Sequence, residues 1–123
     1  MEERTAAVEG YVGRFAPSPT GLLHYGSLVA ALASYLDAKA HDGKWLVRIE
    51  DLDPPREIAG SSTRILEQLH IFAMEWDGEV MFQSARLSAY EQILQRLKSQ
   101  GFCFYCNCSR QRVSALDGIY DGR

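Results

Sequence analysis

The segment from Pro17 to Ser27 combines residue types that are suited to binding phosphate. Turn-forming prolines and a glycine come first, and His24, Gly26 and Ser27 follow them at the start of a predicted helix. A helix N-terminus presents free N–H groups and a partial positive charge to an anion. Gly26 lets a ligand approach the backbone closely, and His24 can donate a hydrogen bond as charge builds on phosphate oxygens. The segment therefore predicts a phosphate-binding turn, with a surface histidine and an ordinary helix cap as the alternative.

The cysteines form a second cluster of reactive side chains. Cys106 and Cys108 make a C-x-C pair, and Cys103 precedes Cys106 in a C-x-x-C spacing. Side chains alternate on an extended strand, so Cys106 and Cys108 can share one face while Cys103 points away from them. Because an odd, tightly spaced set is a poor disulfide framework, we expect a reducing cytosol and a metal-binding or structural role. Without metal, these cysteines are ordinary buried or reactive thiols.

Alternating strands and helices must position these residues. The predicted order is strand Tyr11–Ala16, helix Gly26–Ala40, strand Trp45–Glu50, a helix after residue 60, strand Val80–Phe82, a helix ending at Gly101 and strand Phe102–Cys106. This order predicts an α/β fold with a parallel sheet. Ligands bind at the carboxyl ends of such strands, where two polar segments fall, 17–27 and 50–56. The sequence therefore predicts a site at that edge of the sheet.

Two helical details follow from the spacing of residues. In the first helix, one apolar face is predicted to be its core side, and its members are Leu28, Val29, Leu32, Tyr35 and Leu36. In the third helix, Ser84 or Ser88 can cap the N-terminus, and Ser88 with Glu91 fits a capping box.

Composition limits the class of protein. The chain has 123 residues, of which 46% are hydrophobic and 24% charged, with a formal net charge of −3. These values fit one soluble domain or part of one, and exclude a collagen, a coiled-coil rod or a basic nucleic-acid-binding sleeve. No apolar run approaches the ~18 residues of a membrane span, and the acidic start lacks a secretory h-region. We expect a cytoplasmic protein without membrane contact and a flexible segment over residues 1–10.

The motif segment resembles a family signature. The run from Arg14 to Ser27 resembles the H-I-G-H signature of class I aminoacyl-tRNA synthetases, and its flank R-F-A-P-S-P-T-G resembles the glutamyl branch. The run from Val47 to Asp53 is similar to the R-I-E-D-x-D motif of that branch. Later runs, from Tyr105 to Arg110 and from Gly118 to Arg123, resemble the short glutamyl-Q tRNA(Asp) synthetases. The resemblance covers the chain from Tyr11 onward and implies a Rossmann-like parallel sheet, the N-terminal half of a class I catalytic domain.

That resemblance implies an activity and its partners. Members of the glutamyl-Q group activate glutamate with ATP, independently of tRNA, and transfer it to the queuosine base in the anticodon of tRNA(Asp). We therefore expect ATP, accompanied by Mg²⁺, glutamate and tRNA(Asp) as partners of a monomeric enzyme. The alternatives are a glutamyl-tRNA synthetase that charges the tRNA 3′ end, and a non-catalytic nucleotide- or RNA-binding remnant.

Residue roles are carried over from matching positions. The resemblance implies catalytic roles for His24, Gly26 and Ser27. It places the glutamate site at Arg14, Phe15, Ala16, Pro17, Ser18 and Glu50. The ATP signature region comprises Pro17, Ser18, Pro19, Thr20, Gly21, Leu22, Leu23, His24, Tyr25, Gly26 and Ser27.

Charge suggests what the ends of the glutamate site bind. The planar guanidinium of Arg14 suits the substrate carboxylate, and the carboxylate of Glu50 suits the substrate ammonium group. The alternative is that Arg14 and Glu50 pair with other protein groups. Asp51 and Asp53 are expected to hold loop and helix ends.

The family also binds zinc through a C-x-C pair, a tyrosine twelve residues later and a further cysteine. The matching residues are Cys106, Cys108 and Tyr120, in an insertion that starts at about residue 102, and the last cysteine falls beyond Arg123. A structural zinc site normally needs four ligands, so we expect the site to be incomplete in this sequence.

The family also has a lysine-containing loop that contacts ATP phosphates. This sequence contains no such motif, since its lysines are isolated at Lys39, Lys44 and Lys98. We therefore expect the sequence to be the first part of a longer catalytic domain.

Overall fold

The structure, a computed structural model, describes residues 10–116. The backbone divides into two compact units between Leu87 and Ser88. Most of the flexible segment predicted for residues 1–10, and the predicted zinc ligand Tyr120, lie outside the described residues. None of the helices within residues 10–116 is both long enough and apolar enough to cross a bilayer.

The first unit is built on a parallel sheet. Its strands are β1 (Val12–Phe15), β2 (Lys44–Ile49) and β3 (Met81–Phe82), in the spatial order β1-β2-β3. Arg14 is in register with Leu46, and Arg48 is in register with Met81. The prediction of an α/β fold with a parallel sheet is confirmed.

Helices connect the strands. Helix α1 (Tyr25–Ala40) links β1 to β2, and α2 (Ser61–Ile71) lies between β2 and β3. Short 3₁₀ turns at Pro54–Arg56 and Gln83–Arg86 follow β2 and β3. The chain then continues into α3 (Leu87–Ser99) and α4 (Arg110–Ala115).

The core lies on one face of the sheet. Alternate β2 residues, Trp45, Val47 and Ile49, are fully buried together with Ile65 and Leu69 of α2. Burial of large apolar side chains contributes roughly 1.5–3 kcal/mol each before entropy is subtracted. Of the remaining β2 positions, Leu46 and Arg48 are half-buried and Lys44 is exposed, as alternation in a strand requires.

Helix α1 packs through small residues rather than through its leucines. Ala31 and Ala38 are fully buried, whereas Leu32 and Leu36 are 46% and 55% exposed. A Cβ added to Gly13 would lie 3.1 Å from the Ala38 Cβ, so helix and strand are in close contact here. The predicted core face of α1 is therefore wrong for Val29, Leu32 and Leu36. Close approach to the glycine selects alanines at the interface.

An aspartate fixes the start of β2. Asp77 accepts a hydrogen bond from the backbone N–H of Trp45 at 2.8 Å and lies 3.4 Å from the Lys39 ammonium. The Trp45 N–H is the main reason that the pKa of Asp77 is lowered from its usual range. The bond ties the segment before β3 to the central strand.

Two local predictions fail at and after residue 87. The chain enters α3 directly from a 3₁₀ turn, so Ser88 lies inside the helix and is not its cap. Residues 102–109 form no strand, because a strand needs a partner edge and the described residues supply none here. Helix α4 is capped by Ser109, whose Oγ accepts the N–H of Arg112 at 3.2 Å.

Candidate active site

The turn between β1 and α1 is held by three hydrogen bonds from elsewhere in the first unit. The N–H of Glu50, just after β2, donates to the Pro17 carbonyl at 2.9 Å. The N–H of Ile58 donates to the Pro19 carbonyl at 3.0 Å. The side-chain carbonyl of Gln68 on α2 accepts from the Leu23 N–H at 2.9 Å. The turn is therefore fixed to the carboxyl end of β2 and to α2.

His24 is the N-cap of α1. Its Nδ1 accepts the backbone N–H of Ser27 at 3.3 Å, and its Nε2 lies 3.0 Å from Ser27 Oγ. Because Nδ1 is an acceptor, the neutral ring carries its proton on Nε2, which donates to the hydroxyl. A Cβ at Gly26 would come within 3.2–3.3 Å of the ring, so the glycine accommodates His24 at close range.

These residues surround a cleft of about 430 Å³. It is lined by Phe15, Ala16, Pro17, Ser18, Thr20, Gly21, Leu22, Leu23, His24, Gly26, Ser27 and Ala30. The first turn of α1 contains no acidic side chain, so its positive end is not neutralised locally. A cleft at a helix N-terminus with an imidazole beside it is suited to binding a phosphate chain.

Two predicted glutamate-site residues lie outside that lining. Arg14 lines a separate cleft of about 650 Å³ beside β1, with Ser34 and Asp37 of α1. Arg14 is in register with Leu46, four residues before Glu50, which is about 13 Å along a strand at ~3.3 Å per residue. Arg14 and Glu50 thus have opposite charges near the carboxyl end of the sheet but make no mutual ion pair.

Glu50 is paired within its own segment. Its Oε1 accepts from Arg48 Nη2 at 2.5 Å, and the two side chains are 33% and 24% exposed. The alternative to ammonium binding by Glu50 was an ion pair with another protein group, and Arg48 is such a partner in the structure. Arg48 is the arginine of the R-I-E-D-x-D run, but the sequence assigned it no role in the site.

The acids after β2 hold nearby turns. Both oxygens of Asp51 are engaged by Ser84, Oδ1 by its N–H at 2.9 Å and Oδ2 by its hydroxyl at 2.5 Å. Burial raises the pKa of Asp51, but the hydrogen bonds that the carboxylate accepts, led by those from Ser84, together outweigh it and leave the pKa lowered. Asp53 pairs with Arg56 in the 3₁₀ turn, as expected for a residue that holds a loop end.

The cysteines lie in the second unit. Cys103 and Cys106 are exposed and Cys108 is half-buried. The backbone N–H of Cys108 donates to Cys106 Sγ at 3.4 Å, which brings the C-x-C pair into one local turn. Among the residues that the structure describes, no group of three or more His, Cys, Asp or Glu side chains could hold a metal ion.

Sequence reasoning missed the residues that anchor the site. Gln68 accepts one hydrogen bond from Leu23, and Ser84 donates two to Asp51. No spacing rule relates residues 45 or 33 positions apart, so neither contact has a signature in the sequence.

Comparisons with known proteins agree with this geometry. A family model described as tRNA synthetases class I (E and Q), catalytic domain, matches residues 11–119. The structure is similar to a glutamate tRNA ligase from Elizabethkingia meningosepticum in complex with its amino acid, with a TM-score of 0.69 and 32% identity over 85% of this chain and 22% of that chain. It is also similar to a glutamate-tRNA synthetase from Elizabethkingia anophelis, with a TM-score of 0.71 and 32% identity over 88% of this chain and 23% of that one.

Curated relatives are more similar in sequence. The glutamyl-Q tRNA(Asp) synthetase of Pectobacterium atrosepticum is 58% identical over 112 residues, 91% of this chain and 35% of the relative. That of Serratia proteamaculans is 58% identical over 122 residues, 99% of this chain and 39% of the relative. The chain thus spans well under half the length of the curated relatives it matches. From its match over residues 11–119, the chain belongs to the class I tRNA synthetase family of the E and Q type, within the catalytic domain.

Proposed function

We propose that the protein activates glutamate with ATP, without needing tRNA, and transfers the glutamyl group to the queuosine base in the anticodon of tRNA(Asp). The observation that carries this proposal is the cleft at the start of α1, where His24 and Ser27 lie beside the turn from Pro17 to Leu23. Similarity to glutamyl-Q tRNA(Asp) synthetases at 58% identity supports the choice of tRNA partner. We place the reaction in the cytoplasm, where ATP and tRNA are both present, and assign it to a monomer.

The first step needs positioning and charge stabilisation rather than a base. A carboxylate oxygen of glutamate attacks the α-phosphorus of ATP, an O–P bond forms, and the bond to pyrophosphate breaks. The N–H groups at the start of α1 and the Nε2–H of His24 stabilise the charge that develops on phosphate oxygens. Mg²⁺ accompanies ATP and neutralises part of its charge.

Two charges of opposite sign select the amino acid. Arg14 binds a substrate carboxylate through its planar guanidinium, and Glu50 accepts from the ammonium group. Phe15, Ala16, Pro17 and Ser18, which line the cleft at the start of α1, complete the proposed glutamate site. The carboxylates after Glu50 hold turns, so they do not compete for the ammonium group.

Zinc is a separate part of the proposal. Cys106 and Cys108 supply two sulphur donors in one turn, and Tyr120 adds a third donor. A structural zinc in a tetrahedral site would order the segment around the C-x-C pair. Zinc takes no part in the activation chemistry.

Charging of a tRNA 3′ end is the second candidate. It is favoured by the likeness to glutamate-tRNA ligases at TM-scores of 0.69 and 0.71. The identity to those structures is 32%, against 58% for the glutamyl-Q relatives, so we rank it second.

Glutamate-dependent exchange of pyrophosphate into ATP tests the activation step, with the protein in its natural length. We expect exchange with glutamate in the absence of tRNA, and far less with glutamine or aspartate. Equal exchange with glutamine contradicts the proposed substrate. Transfer of labelled glutamate to tRNA(Asp) is then compared with and without queuosine, and label at the 3′ end favours the second candidate.

A further inference from the structure

Arg48 belongs to the R-I-E-D-x-D run, but the resemblance gives it no role in the glutamate site. We propose that Arg48 is a positioning residue for glutamate binding, which holds the Glu50 carboxylate in the orientation that accepts the substrate ammonium group. This inference rests on the proposed function, because it assigns a partner to one residue of the proposed glutamate site.

The strand geometry places the two side chains together. Arg48 lies on β2 and Glu50 follows the strand end, so with one residue between them they project to the same face. This face is opposite the one that buries Val47 and Ile49. Arg48 Nη2 donates to Glu50 Oε1 at 2.5 Å, and both side chains are less than half exposed. The contact therefore restricts the rotamers of Glu50 at the edge where ligands bind.

The pairing leaves part of the carboxylate available. It engages Oε1, and within residues 10–116 the Oε2 atom makes no hydrogen bond. A carboxylate has about four acceptor positions, so Oε2 can accept from an ammonium group while Arg48 remains bound. The backbone N–H of Glu50 is held by the Pro17 carbonyl at 2.9 Å, which fixes the main chain of the same residue. Side chain and backbone of Glu50 are thus both constrained.

Arg48 carries a cost that a purely structural residue would avoid. Its Nε is buried and has no hydrogen-bond partner among the described residues. A buried donor without a partner is unfavourable, and an apolar side chain of similar length would remove that penalty. The effect of Arg48 on Glu50 accounts for an arginine at this position despite its incomplete pairing.

The test is a double-mutant cycle with Arg48→Met and Glu50→Gln in the protein of natural length. Pyrophosphate exchange gives KM for glutamate and kcat, and thermal unfolding gives Tm. We expect Arg48→Met to raise KM for glutamate by about tenfold or more, with little change in kcat or Tm, since misplacing a binding group can reduce rates by up to ~100-fold. Arg48→Lys keeps the charge and should restore part of the affinity. Arg64→Met, on the exposed side of α2, is the matched control and should change nothing.

The combined variant separates the outcomes. If Arg48 acts through Glu50, Arg48→Met adds no further loss to Glu50→Gln. Additive losses, or an unchanged KM in Arg48→Met when Glu50→Gln raises it, overturn the inference and leave the proposed function standing. A lowered Tm in Arg48→Met without rescue of KM by Arg48→Lys identifies a structural role and also overturns it. An unchanged KM in Glu50→Gln removes the proposed glutamate site itself, and the inference with it.

Discussion

Both ring nitrogens of His24 contact Ser27. Nδ1 accepts the Ser27 N–H at 3.3 Å, and Nε2 lies 3.0 Å from its hydroxyl. The imidazole therefore caps the helix through Nδ1. Its second nitrogen, Nε2, is hydrogen-bonded to Ser27, and both residues line the cleft. A phosphate oxygen that accepts a hydrogen bond from Nε2–H must compete with Ser27 Oγ. His24 therefore has both a structural role and a proposed catalytic role.

Substitution of His24 separates these roles. We expect His24→Ala to lower kcat for glutamate activation by ~10²–10³-fold, the scale for removing one donor to a developing charge. It should also lower stability by about 1 kcal/mol through loss of the cap. His24→Ser retains a capping oxygen without an imidazole, so it should keep the stability and lose the activity. Exchange kinetics and urea unfolding measure the two effects, and an active His24→Ser would show that the cap alone matters.

Among the glycines that the structure describes, Gly43 has the closest backbone neighbour, which is Tyr11. A Cβ at this position would lie 2.4 Å from the Tyr11 carbonyl oxygen, a main-chain atom that cannot rotate away. We expect Gly43→Ala to reduce the free energy of unfolding by ~2–3 kcal/mol through overpacking between α1, β1 and β2. The paired control is Gly13→Ala, whose nearest contact is a side-chain methyl at 3.1 Å and whose cost should be smaller. Urea unfolding compares them, and equal losses would contradict the ranking.

The Asp51–Ser84 contact predicts acid sensitivity. The pKa of Asp51 is lowered in the folded state, so its contribution to stability is present above the unfolded value near ~3.9 and is lost as pH falls through the folded value. Ser84→Ala removes the hydroxyl donor and should move the pKa of Asp51 back towards the ordinary value. Carboxyl NMR titration measures this shift directly.

Stability should follow the same pattern. Ser84→Ala should cost more stability at pH 7 than at a pH below the lowered folded-state pKa of Asp51, where the carboxyl is protonated in both states. Ser88→Ala, on exposed α3, serves as the control with no shift. A loss in Ser84→Ala that is independent of pH would mean that the hydroxyl acts by packing alone.

The cysteines give a metal prediction with an internal control. In the protein of natural length we expect zinc near one equivalent, measured by elemental analysis after dialysis. Cys106→Ser and Cys108→Ser should each lose it, because each removes one sulphur ligand of a four-coordinate site. Cys103→Ser should retain it, since Cys103 lies outside the C-x-C pair. Equal zinc content in all three variants would contradict the assignment.

Sequence alone was enough for the three elements that flank the candidate site in the first unit. The strand before Pro17, the helix after His24 and the strand before Glu50 follow from apolar spacing and turn residues, and the structure has β1, α1 and β2 within one or two residues of those limits. These features are local, because periodicity and capping depend on neighbours within about one helical turn. Parallel order then brings the polar segments to one edge of the sheet.

Tertiary structure decided what each element touches. Ala31 and Ala38, rather than Leu32 and Leu36, became the core side of α1, because Gly13 brings the helix so close to β1 that larger side chains are excluded. The contacts of Arg48, Gln68 and Ser84 depend on long-range placement or on the rotamer of one side chain. The packed sheet as a whole sets the geometry of these contacts. Residue spacing places Arg48 and Glu50 on one face of the strand, but it does not predict that their side chains pair.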